Sequence, residues 1–319
     1  MTTTAVAFTV QQTLPLPRPT PPRSEYHLSE EQIRFFDDHG YLVLRGWVTG
    51  ELLERLQAAG THWIAQGPSH DTHTDDYNFA KRPHGEVLFR VNYLHNKGQD
   101  ASLELLGSPQ VLAVAESLCG PNFVPTYESM VFKQEGDGEQ IPWHQDAVHP
   151  RTRRIFNYDL YLDRSSIGSG ALRVVPGSQK QILDVCDIRD RYGWDAPSTI
   201  QVEMEPGDVL LHDVMVLHGS EPTSGNALRR TVYLEFRGAE EILEDGPWDG
   251  SWIDGRLRLI PLALDRFAQR FPGPAPFEWR VSSEFRPLPL GDVETELKVA
   301  HRIHSPGSYC SAGNAGKAL

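Results

Sequence analysis

The sequence has only three cysteines and no long apolar run, and each shortage argues against a class of protein. Cys119, Cys186 and Cys310 lie far apart and include no Cys-x-x-Cys pair. This spacing predicts reduced thiols, as in the cytoplasm, and neither a disulfide framework nor a zinc site. No apolar stretch approaches the roughly 18 residues that a membrane-spanning helix requires. The sequence therefore predicts a cytoplasmic protein without a membrane partner.

Positive charge is also scarce. The chain has 30 Lys and Arg residues against 43 Asp and Glu residues, which gives a formal net charge of −13. Because nucleic acids bind to extended basic patches, we expect no nucleic-acid partner. The densest basic cluster, residues 151–154, is predicted to be a solvated turn; contact with an anionic group of a small substrate is the alternative. The sequence gives no indication of an oligomeric state.

Composition predicts one domain with a flexible segment at each end. Residues 1–25 are rich in Thr and Pro and lack a charged start followed by an apolar core, so they predict a disordered arm and not a signal peptide. With 39% hydrophobic residues among 319, the chain can bury a large core. We expect a domain over residues 26–285 and a loosely ordered polar tail over residues 286–319.

Local signals predict helices first and strands later. Ser29 and Gln32 have the spacing of a capping box, which would start a helix that ends near Gly40. The further predicted elements are a strand over residues 41–47, a helix from Thr49 to about Gln66, a helix that Ser108-Pro109 caps and that ends at Gly120, and mainly strands and turns over residues 123–237.

A His-x-Asp pair is the first candidate site. If Trp143-His144-Gln145-Asp146 is a strand, His144 and Asp146 project from the same face and can reach one ion. An ordinary solvated turn is the alternative interpretation of such a triplet. Loop signals on both sides, and a second His in a later apolar run, favour the metal-ligand interpretation.

The second His has two candidates. Glu205-Pro206-Gly207-Asp208 reads as a type II turn that leads into a strand over residues 209–218. His212 and His218 would share one face of that strand, so alternation alone does not choose between them. The position of His218 at the end of the apolar run, beside Gly219, favours it. His212 is expected to pack or to form hydrogen bonds within the sheet.

Two imidazoles and one carboxylate on one face of an octahedral metal are the ligands of non-haem Fe(II) oxygenases, and they leave three positions open. Such a site commonly takes a keto acid with a second, distant carboxylate, which a rigidly held Arg binds in a bidentate manner. The strand that begins Arg229-Arg230 offers two candidates. Alternation places Arg230 with Val232 and Leu234, and so leans toward Arg230 as the residue that faces an apolar layer. A substrate-lined barrel interior that is the more polar face, and two solvated edge charges, are the alternatives.

These motifs together resemble the phytanoyl-CoA dioxygenase-like family of Fe(II)/2-oxoglutarate-dependent oxygenases. The resemblance covers roughly residues 28–240 and is strong because the motifs occur in this order with these gaps. It implies a mainly β fold with flanking helices and a double-stranded β-helix (jelly-roll, cupin-like) core over about residues 123–237. The matching segments are residues 143–146, residues 170–178, the turn 206–208, His218-Gly219-Ser220, and Arg229.

The resemblance also implies roles for individual residues. His144, Asp146 and His218 would bind Fe(II), Arg229 would bind the distal carboxylate of the co-substrate 2-oxoglutarate, and Ser220 would add a hydroxyl to that carboxylate. This register favours Arg229 over Arg230. Lys133 could line the same end of the pocket, but a solvent-facing Lys is the simpler expectation.

With O2 as the third reactant, the resemblance implies hydroxylation of an unactivated C–H bond. Halogenating relatives lack the carboxylate that Asp146 supplies here. Desaturation, epoxidation or rearrangement by the same iron chemistry, and a metal-free binding module, are the alternatives.

The chain departs from many members at Thr223, where they have Asn, and at Asp159, where several have an aromatic residue, so the pocket wall differs. A substrate smaller or less charged than an acyl-CoA, such as a secondary metabolite, fits the acidic composition.

Two further segments have less regular patterns. Residues 67–98 contain His70, His73, His84 and His95 at irregular spacing, which predicts a loop over the active-site mouth and not a second metal site. Residues 240–280 are rich in aromatic residues, which predict either a lid that contacts substrate or a segment docked on the barrel. These aromatic residues are Trp248, Trp252, Phe267, Phe271 and Trp279.

Overall fold

A computed structural model describes residues 25–67, 76–83, 85–133, 139–148, 151–222, 228–273, 277–288 and 308–309. Within these ranges, no helix is both long enough and apolar enough to cross a bilayer. The helices are α1 (Glu30–His39), α2 (Gly50–Ala65), α3 (Ala101–Leu106), α4 (Pro109–Cys119), α5 (Val185–Tyr192), α6 (Ala239–Asp245), α7 (Gly250–Leu257) and α8 (Leu259–Arg270).

The strands form two antiparallel sheets. Their bounds are β1 (Tyr41–Leu44), β2 (Tyr77–Arg82), β3 (Gly85–Asn92), β4 (Phe123–Lys133), β5 (Ile141–Gln145), β6 (Phe156–Tyr161), β7 (Leu172–Val175), β8 (Ile200–Val202), β9 (Val209–Asp213), β10 (Leu217–Ser220), β11 (Arg229–Gly238) and β12 (Ser308–Tyr309). The large sheet has the order β1-β9-β6-β11-β4-β3-β2, and the small sheet has the order β12-β5-β10-β7-β8.

The two sheets face each other, as in a double-stranded β-helix. His212 on β9 of the large sheet and His218 on β10 of the small sheet have ring centroids only 4.6 Å apart. The helices α1, α2 and α4 cover the outer face of the large sheet, where Phe36, Leu56 and Leu112 join the main hydrophobic core. The predicted mainly β fold with flanking helices and a jelly-roll core is confirmed.

Alternation along β11 separates an apolar outer face from a polar inner face. Val232, Leu234 and Phe236 are buried in the core beneath the helices. Thr231 and Tyr233 have the opposite parity and pair with Tyr161 and Asp159 of β6. Because neighbours in a sheet project to the same side, the interior between the sheets carries hydroxyl and carboxyl groups. A polar interior of this kind can hold a polar ligand.

The predicted start of α1 is confirmed in detail. The Gln32 amide N–H donates to Ser29 Oγ at 3.2 Å, and the Ser29 N–H donates to Gln32 Oε1 at 2.9 Å. The helix ends before Gly40, whose φ of 75° lies in the left-handed region that glycine adopts without strain. The following strand β1 ends at Leu44, three residues before the predicted end, because the chain turns at Arg45-Gly46.

The turn at residues 205–208 is also confirmed. Gly207 has φ +89°, and the Asp208 N–H donates to the Glu205 carbonyl at 3.0 Å, as in a type II turn. A Cβ on Gly207 would lie 2.2 Å from the Val48 carbonyl oxygen, so any other residue at this position would clash with the backbone at Val48.

One continuous strand over residues 209–218, however, is wrong. The chain leaves the large sheet after Asp213 and enters the small sheet at Leu217. His212 and His218 therefore lie on different strands in opposite sheets. Both face the interior because the sheets face each other, and the shared parity of the sequence pattern is not the reason. An apolar run that crosses from one sheet to the other looks like a single strand in the sequence.

The predicted loop at residues 67–98 is wrong over most of its described part, because β2 and β3 form a hairpin there. His95 lies just after β3, is buried, and contacts Glu128. His70, His73 and His84 lie outside the described residues. Among the described residues, the only cluster of His, Cys, Asp and Glu that could hold a metal ion is elsewhere.

The aromatic segment at residues 240–280 forms α6, α7 and α8. Trp248 and Trp252 stack with ring centroids 4.1 Å apart, and with Trp279 they pack against buried residues that include Val124 and Ile253. Phe267 and Phe271 pack against the main core. This packing favours the docking alternative over a lid.

The C-terminal segment and one cysteine differ from the sequence predictions. Ser308 and Tyr309 in the predicted loose tail form β12, which pairs with Gln145 and His144 at the edge of the small sheet. Cys119 is a free thiol, but Cys186 is disulfide-bonded. The prediction that every cysteine is reduced is therefore wrong for Cys186, since spacing along the sequence does not show which cysteines the fold brings together.

A buried ion pair fastens the C-terminal helices to the barrel. Glu128 on β4 accepts hydrogen bonds from Arg256 on α7 and from His95, and Arg256 Nε donates to the Pro125 carbonyl at 2.6 Å. Arg256 is fully buried and Glu128 nearly so. The nearby Arg256 and His95 offset the cost of burial and hold the pKa of Glu128 well below its ordinary value.

We expect Glu128→Ala to lower the free energy of unfolding by about 3–5 kcal/mol, because it leaves the buried charge of Arg256 without its partner. Urea denaturation measures this change. Arg34→Ala is the control, since it removes an exposed pair with Glu30 on α1 that is worth less than about 0.5 kcal/mol. Similar unfolding midpoints for the two variants would contradict the stabilising role of Glu128.

Candidate metal and co-substrate site

The three predicted metal ligands come together at one end of the interior. His144 on β5 and His218 on β10 are directly opposite each other in register, with ring centroids 4.1 Å apart. Asp146 follows β5, where its N–H donates to the Val214 carbonyl at 2.7 Å. One ligand atom from each of the three residues lies within 4.8 Å of the others, a spacing at which one ion can contact all three.

Each imidazole is oriented by its own backbone. Nδ1 of His144 donates to the Pro142 carbonyl at 2.8 Å, and Nδ1 of His218 donates to the Val216 carbonyl at 2.9 Å. Both Nε2 atoms therefore point toward Asp146, at 3.2 Å from Oδ1 for His144 and 3.8 Å from Oδ2 for His218. Metal-binding His residues characteristically use their second nitrogen in this way.

The charge states suit a metal. Burial alone would favour the neutral form of Asp146, but the surrounding His residues outweigh it and hold the pKa of that carboxyl well below its ordinary value. Burial and the adjacent His144 lower the pKa of His218 well below its ordinary value. A carboxylate and a neutral imidazole are the forms that bind metal ions.

His212 points at the same centre but is engaged differently. Its Nδ1 donates to Asp159 Oδ2 at 2.8 Å, and its Nε2 donates to Asp146 Oδ2 at 3.1 Å. Burial opposes a charge on His212, but the Asp159 and Asp146 carboxylates outweigh burial and raise its pKa to about 10. Both ring nitrogens of His212 are engaged by these side chains, and His212 is not part of the cluster that could hold a metal ion. The hydrogen bonding expected for it is confirmed.

The sequence did not reveal the contact between His212 and Asp159. The sequence marks Asp159 only as a departure in the pocket wall, yet in the structure it is fully buried on β6, and its side chain contacts that of His212 on the adjacent strand β9. The signal in the sequence is a carboxylate in an otherwise apolar and aromatic strand, Phe-Asn-Tyr-Asp-Leu-Tyr. A buried carboxylate needs a partner, and a second buried polar residue in the neighbouring strand was available.

The second part of the site lies around the start of β11. Arg229 is buried, and its Nη1 donates to the Gly170 carbonyl and to Ser165 Oγ. Ser220 Oγ accepts a hydrogen bond from Lys133 Nζ at 3.0 Å. Lys133 pairs with Arg229 in the register of β4 and β11 and is buried. The expectation of a solvent-facing Lys133 is therefore wrong, because Lys133 projects to the same side of the sheet as its register partner Arg229.

Arg230 faces the opposite side of the sheet. Its guanidinium binds both carboxylate oxygens of Asp163, each at 2.8 Å, and donates to the Gln57 carbonyl of α2 at 2.7 Å. The alternation argument correctly put Arg230 with the apolar residues, but that face lies beneath the helices. The interior is the more polar face, which is the alternative that remained open, so facing an apolar layer does not place Arg230 inside the barrel.

Several buried polar atoms near Arg229 lack hydrogen-bond partners among the described residues. They are Nε of Arg229 itself, Oη of Tyr161 and Oγ1 of Thr231. Thr231 and Tyr161 are direct neighbours in register. Because a buried polar atom without a partner costs free energy, this group fits a ligand that carries oxygen acceptors, such as the carboxylate of a keto acid.

Comparison with known proteins gives consistent matches. A family model described as phytanoyl-CoA dioxygenase (PhyH) matches residues 36–231. A probable alpha-ketoglutarate-dependent hypophosphite dioxygenase of Stutzerimonas stutzeri is 27% identical over 259 residues, which cover 74% of this chain and 89% of that protein.

Solved structures match over a similar part of the chain. EvdMO1 is 29% identical, with a TM-score of 0.58, over 66% of this chain and 50% of that chain, so the match spans half the length of EvdMO1. EctD from S. alaskensis, solved with 2-oxoglutarate and 5-hydroxyectoine, has a TM-score of 0.56 at 20% identity, over 73% of this chain and 81% of that chain. At this identity the similarity concerns the fold.

Proposed function

Because the chain belongs to the phytanoyl-CoA dioxygenase family and is an Fe(II)- and 2-oxoglutarate-dependent dioxygenase, we propose that it hydroxylates an unactivated C–H bond of a small organic substrate. The observation that carries this proposal is the convergence of His144, Asp146 and His218, with an intact carboxylate in the set. Because Asp146 supplies the third protein ligand, a halide has no vacated position to occupy.

In this proposal His144, Asp146 and His218 bind Fe(II). Two neutral imidazole nitrogens and one carboxylate oxygen suit Fe(II) in both charge and donor type. The carbonyls of Pro142 and Val216 fix the two rings by accepting their Nδ1–H groups. The ligand atoms are therefore oriented before iron arrives, which lowers the cost of ordering them on binding.

Arg229 and Ser220 bind the distal carboxylate of 2-oxoglutarate in this proposal. The guanidinium of Arg229 has an unused Nε–H, and Ser220 Oγ lies on β10, two residues after His218. Lys133 adds a second positive charge beside Ser220. Two cations in a buried pocket favour a dianionic co-substrate. The Tyr161 hydroxyl, whose pKa burial raises, stays protonated and can donate to a ligand.

The overall reaction is balanced. One atom of O2 enters the substrate as a hydroxyl group, the other enters succinate, and CO2 leaves from 2-oxoglutarate. Bound iron supplies the two-electron chemistry that joins these events. The protein residues hold the co-substrate, orient the ligands and exclude water. In the described part of the chain, Arg151, Arg153 and Arg154 of the densest basic cluster are all in ion pairs with acidic side chains, which argues against an acyl-CoA substrate with its several phosphates.

The experiment is anaerobic reconstitution with Fe(II), followed by exposure to O2 with 2-oxoglutarate and a panel of small polar substrates. We expect succinate formation that requires iron, and a product that gains one oxygen atom, labelled when 18O2 is used. A product that loses two hydrogens would indicate desaturation instead. Succinate at the level of the metal-free sample, with every substrate, would contradict the proposed activity.

A further inference from the structure

The two carboxylate oxygens of Asp146 have different surroundings. Oδ1 faces His144, with Nε2 of that ring at 3.2 Å. Oδ2 accepts hydrogen bonds from His212 Nε2 at 3.1 Å and from Asn157 Nδ2 at 3.0 Å, and it lies farther, at 3.8 Å, from Nε2 of His218. A carboxylate oxygen has about two lone-pair directions. Both directions of Oδ2 are therefore used by protein donors, whereas Oδ1 is left for a cation.

The donors to Oδ2 are rigidly held by the large sheet. His212 and Asp159 are both essentially fully buried, and Asp159 Oδ2 accepts the Nδ1–H of His212 at 2.8 Å. Asn157, Asp159 and His212 lie on the adjacent strands β6 and β9. Asp146, in contrast, follows the small sheet. The Asp159–His212–Asp146 contacts therefore connect a metal ligand on one sheet to a fixed support on the other.

The number of oxygens that Asp146 gives to iron decides how many positions remain. An octahedral ion with two His nitrogens and one carboxylate oxygen has three free positions, which is what a chelating keto acid and O2 together require. A carboxylate that binds through both oxygens would leave only two. The reaction would then lack a position for one of its reactants.

We infer that His212, anchored by Asp159, is a positioning residue that holds Oδ2 of Asp146 away from iron, so that Asp146 binds through Oδ1 alone. This inference rests on the proposed function. It gives a common purpose to the two features of the sequence that the ligand motif left over, the second His of the 209–218 run and the carboxylate at residue 159.

The test compares His212→Leu with His212→Gln in the full chain. Leucine removes the donor to Oδ2, whereas glutamine offers an amide N–H in a similar place. Each protein is loaded anaerobically with Fe(II) and titrated with 2-oxoglutarate, and the visible absorption of the chelate is recorded. Nitric oxide is then added as a stand-in for O2, and the electron paramagnetic resonance signal of its iron adduct is recorded.

We expect the wild type to form the chelate and to bind nitric oxide at the same time. His212→Leu should keep its iron, but it should need about 10–100-fold more 2-oxoglutarate to form the chelate and should show a weakened nitric oxide signal. The 2-oxoglutarate concentration that His212→Gln requires should be within roughly a few-fold of the wild-type value. The partial recovery distinguishes a positioned donor from a merely space-filling ring.

His95→Leu is the matched control, because it also removes a buried imidazole bonded to a carboxylate, Glu128, outside the candidate site. If His212→Leu fails to fold, Asp159→Asn replaces it, since this change keeps the side-chain volume and weakens only the anchor of His212. We expect Asp159→Asn to shift the chelate titration in the same direction as His212→Leu.

Unchanged chelate and nitric oxide signals in the folded variant would overturn the inference. Loss of iron itself from a folded His212→Leu protein would also overturn it, because a carboxylate with both oxygens free should hold iron at least as well. If the wild type binds no iron or forms no chelate, the proposed function fails, and this outcome is distinct from equal behaviour of wild type and variant.

Discussion

In the Asp146→Ala variant, substrate oxidation should fall by more than about a hundredfold, because loss of a metal ligand must cost more than loss of a residue that supports one, which typically costs about 10–100-fold. The truncation removes the only carboxylate of the candidate ligand set. It also leaves His212 and Asn157 without their acceptor. Iron would then be held by two imidazoles alone.

The measurement is product formation under saturating 2-oxoglutarate and Fe(II), together with metal content after desalting. Asp208→Ala is a matched control: it removes another largely buried carboxylate, which accepts hydrogen bonds from Arg45 and from the Gly46 N–H, at a turn and not among the candidate ligands. We expect this control to lose stability and to keep turnover at a permissive temperature. Preserved turnover in Asp146→Ala would refute the assignment of Asp146 as a ligand.

The second large effect is expected at Arg229. Arg229→Ala removes the buried guanidinium that we assign to the distal carboxylate of 2-oxoglutarate. Truncating one partner of a buried charge pair costs about 2–5 kcal/mol, which corresponds to a rise of roughly 30-fold or more in the 2-oxoglutarate concentration needed for half-maximal rate. The maximal rate at saturating co-substrate should fall less, because the iron ligands are intact.

Arg230→Ala is the control that the chain itself provides, one residue away on the same strand. Its guanidinium binds Asp163 and α2, so its loss should lower the unfolding midpoint and leave the 2-oxoglutarate requirement nearly unchanged. Steady-state titration of 2-oxoglutarate in both variants, with thermal unfolding in parallel, measures the contrast. The reverse ranking would show that the co-substrate lies on the other face of β11.

The candidate ligands could be predicted from sequence because each carries a local signal. His144 and Asp146 are two residues apart at the end of β5, and this short spacing keeps both side chains within reach of one ion although Asp146 lies just after the strand. His218 is marked by the end of an apolar run and by Gly219. The helix α1 could be predicted because its capping box acts over three residues. In each case the geometry is set by the nearest neighbours along the chain.

The features that were missed depend on residues far apart in the chain. The split of residues 209–218 into β9 and β10 follows from the way the two sheets close on each other, which no local pattern records. Which face of β11 is the interior depends on where α2 packs, and so alternation along the strand was not sufficient to choose between the two arginines. Lys133 can be buried because Ser220 and Glu221, almost ninety positions later along the chain, accept hydrogen bonds from its ammonium group.

The hairpin β2–β3 was missed for a related reason. Its polar and charged residues read as a loop when taken alone, but the hairpin extends the large sheet through pairing of β3 with β4. Strand formation there is supplied by the neighbour and not by intrinsic preference. The same applies to β12, whose two residues gain their structure from the open edge of β5.

The candidate metal site lies between the two sheets and therefore depends on their relative position. Its candidate imidazole ligands, His144 and His218, lie on the small sheet. The side chains that contact the Asp146 carboxylate lie on the large sheet. A small shift of one sheet relative to the other would disrupt the candidate site even though every candidate ligand residue is still present. On heating, or after substitutions that leave cavities in the distant core or alter either sheet, we therefore expect activity to be lost before the protein unfolds.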